Sequence, residues 1–158
     1  MMLIGISMLV VALDQFTKFL ILQTMKLNET QSLISDFIYL TYIQNPGTAF
    51  GFMANMETFV RIPFFVAITT AACFIVYTYQ RLIPQEKQFT RVALGLVLGG
   101  ALGNFVDRIL YGKVIDFIDM RYHDFQWYIF NVADSCITVG LIFLLIEFIW
   151  GANRKTEP

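Results

Sequence analysis

The sequence is poor in the residues that most metal, redox and nucleic-acid sites require. It contains one histidine, His123, and two cysteines, Cys73 and Cys136. One histidine excludes a site built on a histidine pair, and two cysteines in separate apolar runs match neither a disulfide framework nor a metal-ligand spacing. The formal net charge is −1. We therefore expect no nucleic-acid partner, because there is no basic excess to contact a phosphate backbone.

Charged residues are also scarce, at 15% of the chain, whereas hydrophobic residues make up 57%. A soluble domain holds about 45–50% apolar and about 25% charged residues. A transmembrane helix needs about 20 mostly apolar residues, and the segments that meet this length are 2–25, 58–79, 89–111 and 130–150. The sequence predicts one integral membrane domain over residues 1–158, with four transmembrane helices.

Basic residues in the connecting segments predict the orientation. On one side of the membrane lie five: Arg81, Lys87, Arg91, Arg154 and Lys155. The connections 26–57 and 112–129 hold three, with a fourth at the edge of a span: Lys26, Lys113, Arg121 and Arg61. Because basic residues favour the cytoplasmic side, we expect both termini in the cytoplasm and these two connections outside it.

The two outer connections carry more than linker sequence. Residues 37–43 are rich in aromatic and β-branched side chains, which favour strands. Asn45, Pro46 and Gly47 then mark a turn. The connection 112–129 is similarly aromatic, and such side chains are typical of the headgroup level of a membrane. We expect an all-α membrane fold with a small extracytoplasmic sheet, and an exposed position for His123.

Two ionisable residues lie within the first predicted span. Asp14 and Lys18 are four residues apart and so share one helical face. A charge at membrane depth costs several kcal/mol and needs a partner, so the pair either locks helix packing or belongs to a site. Gly95, Gly99 and Gly103 recur at every fourth position of the third span, a pattern that indicates close helix packing.

A second polar group follows the glycines at the outer end of the third span. Asn104, Asp107 and Arg108 share one face because they are three and four residues apart. We expect Arg108 to neutralise Asp107 or another carboxylate with paired hydrogen bonds.

Two more aspartates are predicted at the same membrane level. Asp116 lies in the outer connection with apolar neighbours on both sides, and Asp134 lies about one turn inside the fourth span, on one face with Asn131. Two carboxylates held close together share a proton, so that one acts as a base toward water and the other as an acid. Carboxylates could equally hold a divalent cation. The carboxylates alone leave a protease and a metal site both open.

Five motifs, in order along the chain, favour the protease over the metal site. They are Asp14–Lys18, Asn45–Gly51, Gly99–Arg108, Val114–Phe117 and Phe130–Ser135. Together they resemble the motif set of lipoprotein signal peptidase, the bacterial signal peptidase II, an intramembrane aspartyl endopeptidase. The resemblance reaches every predicted span except the second.

The resemblance implies a fold, a reaction and roles for particular residues. It implies four helices, an outer β-cradle, a mobile element over the site, and cleavage of prolipoproteins before a diacylglyceryl-modified cysteine in the bacterial cytoplasmic membrane. The catalytic pair falls on Asp116 and Asp134, with no metal or other cofactor. The implied partners are prolipoproteins, membrane lipids and inhibitors of the globomycin type. The supporting and substrate-binding positions are Asp14, Lys18, Asn45, Gly47, Asn104, Asp107, Arg108 and Asn131.

Two alternatives belong to other functional classes. A metal-dependent membrane lipid enzyme could use Asp107, Asp116 and Asp119, although the leading Asp pair of such motifs is missing. A proton-coupled transporter would need carboxylates near the middle of the membrane, and only Asp14 lies deep.

Overall fold

A computed structural model describes residues 1–47, 56–84 and 86–153, with side chains up to residue 150. It contains four long helices: α1 (Met2–Thr24), α2 (Thr58–Leu82), α3 (Gln88–Tyr111) and α4 (Val132–Asn153). Each is long and apolar enough to cross a membrane. The motif residues from Thr48 to Gly51 and the basic tail residues Arg154 and Lys155 lie outside the described part of the chain.

The helices place charge inside and hydrophobic side chains outside. On α1, Asp14 and Lys18 are at most 1% exposed, whereas Phe16 and Phe19 are more than half exposed. A helix of a soluble protein has the opposite arrangement, because water solvates exposed charges favourably and exposed aromatic surface unfavourably. This pattern is the one expected of helices surrounded by lipid.

α3 lies at the centre of the bundle and packs against each of the other helices. Its glycines permit close contact with α1: a methyl group added at Gly99 would lie 2.7 Å from Cβ of Val10, and one at Gly103 would lie 2.6 Å from Oδ2 of Asp14. The interpretation of the glycine pattern as a packing surface is confirmed. At Gly103 this close approach also brings the Asp14 carboxylate against α3.

The two aromatic connections meet in one antiparallel sheet. Its strands are β1 (Thr30–Ile34), β2 (Ile38–Asn45), β3 (Val114–Tyr122) and β4 (Phe125–Gln126), in the spatial order β1-β2-β3-β4. β2 and β3 pair from Ile38 opposite Met120 to Asn45 opposite Val114. The predicted fold class, four long apolar helices with a small β element, is confirmed. His123 lies in the turn between β3 and β4, where it is exposed as expected.

The fourth helix begins two residues later than the sequence predicts. Phe130 continues the sheet, because its amide donates to the Ile118 carbonyl and its own carbonyl accepts from the Ile118 amide. Asn131 then precedes the first helical residue, Val132. Hydropathy could not reveal this boundary, because Phe130 is as apolar as the helix that follows.

Candidate active site

The site is formed where the sheet meets the ends of α3 and α4. Asp116 extends from β3 and Asp134 from the first turn of α4, and both line one cavity of about 350 Å³. Three of the predicted supporting residues, Asn45, Asn104 and Arg108, line the same cavity, as does Gly47. The cavity therefore contains the predicted catalytic pair and part of its predicted surroundings.

A reciprocal helix cap sets the position of Asp134. The Asp134 amide donates to Oδ1 of Asn131 at 2.9 Å, and the Asn131 amide donates to Oδ2 of Asp134 at 3.3 Å. This is the pattern of a capping box, in which the residue before the helix and the third helical residue satisfy each other's free amides. Asp134 also lies at the positive end of the α4 helix dipole.

Two buried amide side chains connect the aspartates. Asn131 donates from Nδ2 to Oδ1 of Asp116 at 2.6 Å and to Oδ1 of Asn104 at 3.1 Å. Asn104 in turn donates to Oδ1 of Asp134 at 2.7 Å. Because Asn131 is fully buried, this chain of hydrogen bonds fixes the two carboxylates relative to each other.

Asp116 is held from its other side by the sheet. Asn45, at the end of β2, donates to Oδ2 of Asp116 at 2.9 Å, and Oδ1 of Asn45 accepts from the amide of Gly47. Burial, with the charge of Asp134 adding to it, raises the pKa of Asp116 to about 7, although the bonds from Asn45 and Asn131 oppose the rise. One member of the pair therefore holds a proton near neutral pH, as two close carboxylates require.

A buried cluster of charges lies behind the cavity. Nζ of Lys18 is 2.8 Å from a carboxylate oxygen of Asp14 and 2.8 Å from one of Asp107, and it donates to Oδ1 of Asn104 at 3.1 Å. These three partners use all three N–H donors of an ammonium group. Lys18 thus joins α1 to α3 and orients the amide that donates to Asp134.

The expected pairing of Asp107 with Arg108 is wrong. Asp107 pairs with Lys18 and accepts from the Ile115 amide at 3.0 Å. Arg108 instead places its guanidinium carbon 3.9 Å from the centre of the Phe65 ring and donates to the carbonyls of Asn104 and Gly47. Consecutive helical residues point about 100° apart, so a residue and its immediate neighbour do not face each other.

Asp107 also differs from the other two aspartates in its environment. It is fully buried, and it does not line the cavity that contains Asp116 and Asp134. Of the three carboxylates expected to converge, Asp116 and Asp134 share the cavity, whereas Asp107 lies outside its lining. Among the described residues, no three His, Cys, Asp or Glu side chains form a group that could hold a metal ion.

Sequence reasoning missed two contributions to the site. Gln15 donates to the carboxylates of both Asp14 and Asp107, at 3.2 and 2.9 Å; its place next to Asp14 within a motif was a usable signal. The second helix, which has no motif, supplies one wall of the cavity through Phe65, Ile68 and Thr69. Its apolar composition gave no sign of that role.

Comparisons with known proteins agree with this geometry. The family model for signal peptidase (SPase) II matches residues 6–150. The chain is 43% identical over 141 residues to the lipoprotein signal peptidase of Syntrophotalea carbinolica, covering 89% of this chain and 86% of the relative. It is 38% identical over 154 residues to that of Moorella thermoacetica, covering 97% of each.

The fold is also found among solved structures. A bacterial membrane enzyme determined by the in meso method at 2.3 Å resolution superposes with a TM-score of 0.88 and 35% identity, covering 99% of this chain and 92% of that one. A second, determined at 1.9 Å resolution, gives a TM-score of 0.81 and 36% identity, covering 92% and 91%. With the family match over nearly its whole length, the chain belongs to the signal peptidase II family.

Proposed function

We propose that this chain is an aspartyl endopeptidase that removes the signal peptide of prolipoproteins, cleaving before a diacylglyceryl-modified cysteine. Asp116 and Asp134 form the catalytic pair. The observation that carries the proposal is that these two carboxylates line one cavity and are joined through the amides of Asn131 and Asn104. Family membership supports the substrate, and the paired carboxylates support the aspartyl mechanism.

The surroundings of the two aspartates favour different roles for them. Asp134, at the N-terminus of α4, is the base that takes a proton from the attacking water. Asp116, with its pKa raised to about 7 by burial and by the charge of Asp134, is the acid that protonates the scissile carbonyl oxygen. Collapse of the resulting diol breaks the C–N bond, as Asp134 passes its proton to the leaving nitrogen and Asp116 recovers one from the diol. Both carboxyls thereby return to their starting states.

Other residues of the cavity suit a peptide substrate. The Arg108 guanidinium has five N–H donors, and within the described part of the chain its bonds to the carbonyls of Asn104 and Gly47 use only part of them. The remaining donors can bind a substrate carbonyl. Ile68 of α2 and Ile137 of α4 give the cavity apolar walls. Asp14, Lys18 and Asp107 act from behind the cavity by holding Asn104 in place.

The proposed function is tested by cleavage under metal-free conditions. An aspartate pair activates water without a metal, so we expect purified protein in detergent to cleave a diacylglyceryl-cysteine peptide in the presence of a chelator. The same peptide with an unmodified cysteine serves as the control for substrate class and should be cleaved far more slowly. Mass spectrometry of the products measures the rate and locates the broken bond.

The opposite outcome would favour a metal-dependent enzyme. Loss of activity on chelation, with recovery on adding Mg²⁺ or Mn²⁺, would contradict the aspartyl mechanism and shift support to that alternative. Release of a lipid fragment in place of a peptide would contradict the proposed substrate.

We further propose that both termini are cytoplasmic and that the sheet is extracytoplasmic. The connections that follow α1 and α3 join in one sheet, so they lie on one side of the membrane. We expect a reporter fused after Lys155 to give a cytoplasmic signal and one inserted near Asn28 to give an external signal. An external signal from the C-terminal fusion would reverse the side assigned to the cavity.

Two further kinds of partner belong to this proposal. Tyr122, Phe125 and Trp127 are exposed on the β3–β4 hairpin, a composition typical of contact with lipid headgroups. Peptides of the globomycin type would act as inhibitors by occupying the cavity between Asp116 and Arg108, where a substrate peptide would lie.

A further inference from the structure

The position of Arg108 raises the question of what holds its side chain. Among the described residues, no carboxylate oxygen lies within 4.0 Å of its guanidinium nitrogens. Its hydrogen bonds go to the Asn104 carbonyl at 3.2 Å and the Gly47 carbonyl at 3.5 Å, and the second is at the limit of such a bond. Two bonds to backbone carbonyls, one of them marginal, are few restraints for a long, flexible side chain.

A third restraint on Arg108 is the ring of Phe65. The guanidinium carbon of Arg108 lies 3.9 Å from the ring centre, well within the distance of about 6 Å for a cation–π interaction. Phe65 is only 6% exposed, and its ring meets that of Phe64 edge to face at 5.5 Å. The ring therefore presents a fixed face to the guanidinium.

We propose that Phe65 is a positioning residue for the reaction: its ring holds the Arg108 guanidinium in the cavity that contains Asp116 and Asp134. The expected effect of Phe65 on peptide cleavage rests on the proposed function. It also gives α2 a part in the chemistry. Both Phe65 and Arg108 line that cavity, so freeing the guanidinium would remove donors from the place where a substrate carbonyl would bind.

The first test measures how accessible the Arg108 guanidinium is to a chemical reagent, and it does not depend on enzyme activity. We expect Phe65→Leu to raise the rate at which phenylglyoxal modifies Arg108 several-fold, as measured by mass spectrometry relative to the exposed Arg81. Phe74→Leu is the matched control, because Phe74 lies on the same helix, is 66% exposed and is outside the cavity lining. An unchanged modification rate in Phe65→Leu would overturn the proposal, even if the chain cleaved no peptide.

The second test asks whether Phe65 acts through Arg108. A desolvated cation–π contact corresponds to about a tenfold effect or more, so we expect Phe65→Leu to lower kcat/KM by about that factor. In an Arg108→Gln background the same change should cost less than about twofold, because contacting residues that act together are not additive. Phe65→Tyr, which keeps the ring face, should recover most of the loss.

Each outcome of the second test has a defined meaning. Equal losses in the two backgrounds would show that Phe65 acts as a cavity wall independently of Arg108, and would overturn the proposal. An equal loss in Phe74→Leu would overturn it as well, by indicating a general effect of losing an aromatic ring from α2. If Arg108→Gln has no measurable activity, the modification rates decide. Failure of the unaltered chain to cleave lipidated peptide would refute the proposed function alone.

Discussion

Asp116→Asn and Asp134→Asn are each expected to reduce cleavage of a diacylglyceryl peptide by about 10³-fold or more, while folded protein still accumulates in the membrane. Asparagine keeps the size of aspartate and part of its hydrogen bonding but cannot gain or lose the catalytic proton. General acid–base catalysis contributes about 10²–10⁴-fold. The double variant should be little worse than either single one, because the two carboxylates act as one unit.

The control for this pair is Asp124→Asn, since Asp124 is exposed in the β3–β4 turn. We expect that variant to cleave at the unaltered rate. The most informative comparison is with Asp107→Asn. Asp107 is fully buried behind the cavity, so any folded Asp107→Asn protein should remain active. An active Asp116→Asn protein beside a folded but inactive Asp107→Asn protein would contradict our assignment of the pair.

The pH dependence of the unaltered chain gives a further check on the same assignment. If Asp116 is the acid, the active form carries its proton. Because burial and the charge of Asp134 raise the pKa of Asp116 to about 7, activity should fall as pH rises through that value. The pair titrates as a unit, so the alkaline limb of the rate profile reports the loss of its shared proton. A rate that is constant from pH 6 to 9 would contradict the role assigned to Asp116.

Local spacing predicts much of this arrangement. Asn131 and Asp134 were predicted to face together because they are three residues apart, and the structure shows them in reciprocal hydrogen bonds at the start of α4. The strands were predicted from aromatic and β-branched composition, and the turn from Asn45-Pro46-Gly47. Such features depend on a few adjacent residues, so sequence alone could indicate them.

Contacts between distant segments could not be predicted in the same way. The sequence places Asp107 beside Arg108, yet its ion pair is with Lys18, 89 positions earlier on another helix. The choice depends on how closely α1 approaches α3, which Gly99 and Gly103 permit. Likewise, α2 contributes Phe65 to the cavity without any motif. These features arise from helix packing, and no spacing within one segment encodes them.

Because Asp107 pairs with Lys18 and not with Arg108, substitutions in the buried cluster are expected to destabilise the protein to different extents. Lys18 is the one cation that contacts both Asp14 and Asp107 in the described structure. Removing Lys18 leaves two carboxylates buried without their charge partner, whereas removing Asp107 leaves a neutral pair of Asp14 and Lys18. Asp107→Asn should therefore destabilise the folded protein much less than Lys18→Met does.

Lys18→Met is expected to destabilise the folded protein by about 3–5 kcal/mol, the typical cost of breaking a buried ion pair by removing one partner. Lys26→Met is the control, because Lys26 is exposed just after the same helix. Thermal unfolding in detergent, followed with a thiol-reactive dye on the half-buried Cys73 and Cys136, measures the difference. An unchanged unfolding temperature in Lys18→Met would contradict a structural role for the cluster.

A second substitution tests whether charge is the cause. Asp107→Asn should lower the unfolding temperature of the unaltered chain, because it weakens a contact of 2.8 Å between Lys18 and α3. In Lys18→Met protein the same change should raise the unfolding temperature, since it removes one of two stranded carboxylates. A loss of packing alone would lower stability in both backgrounds. Opposite changes in unfolding temperature in the two backgrounds would distinguish the effect of a buried charge from the effect of a lost contact.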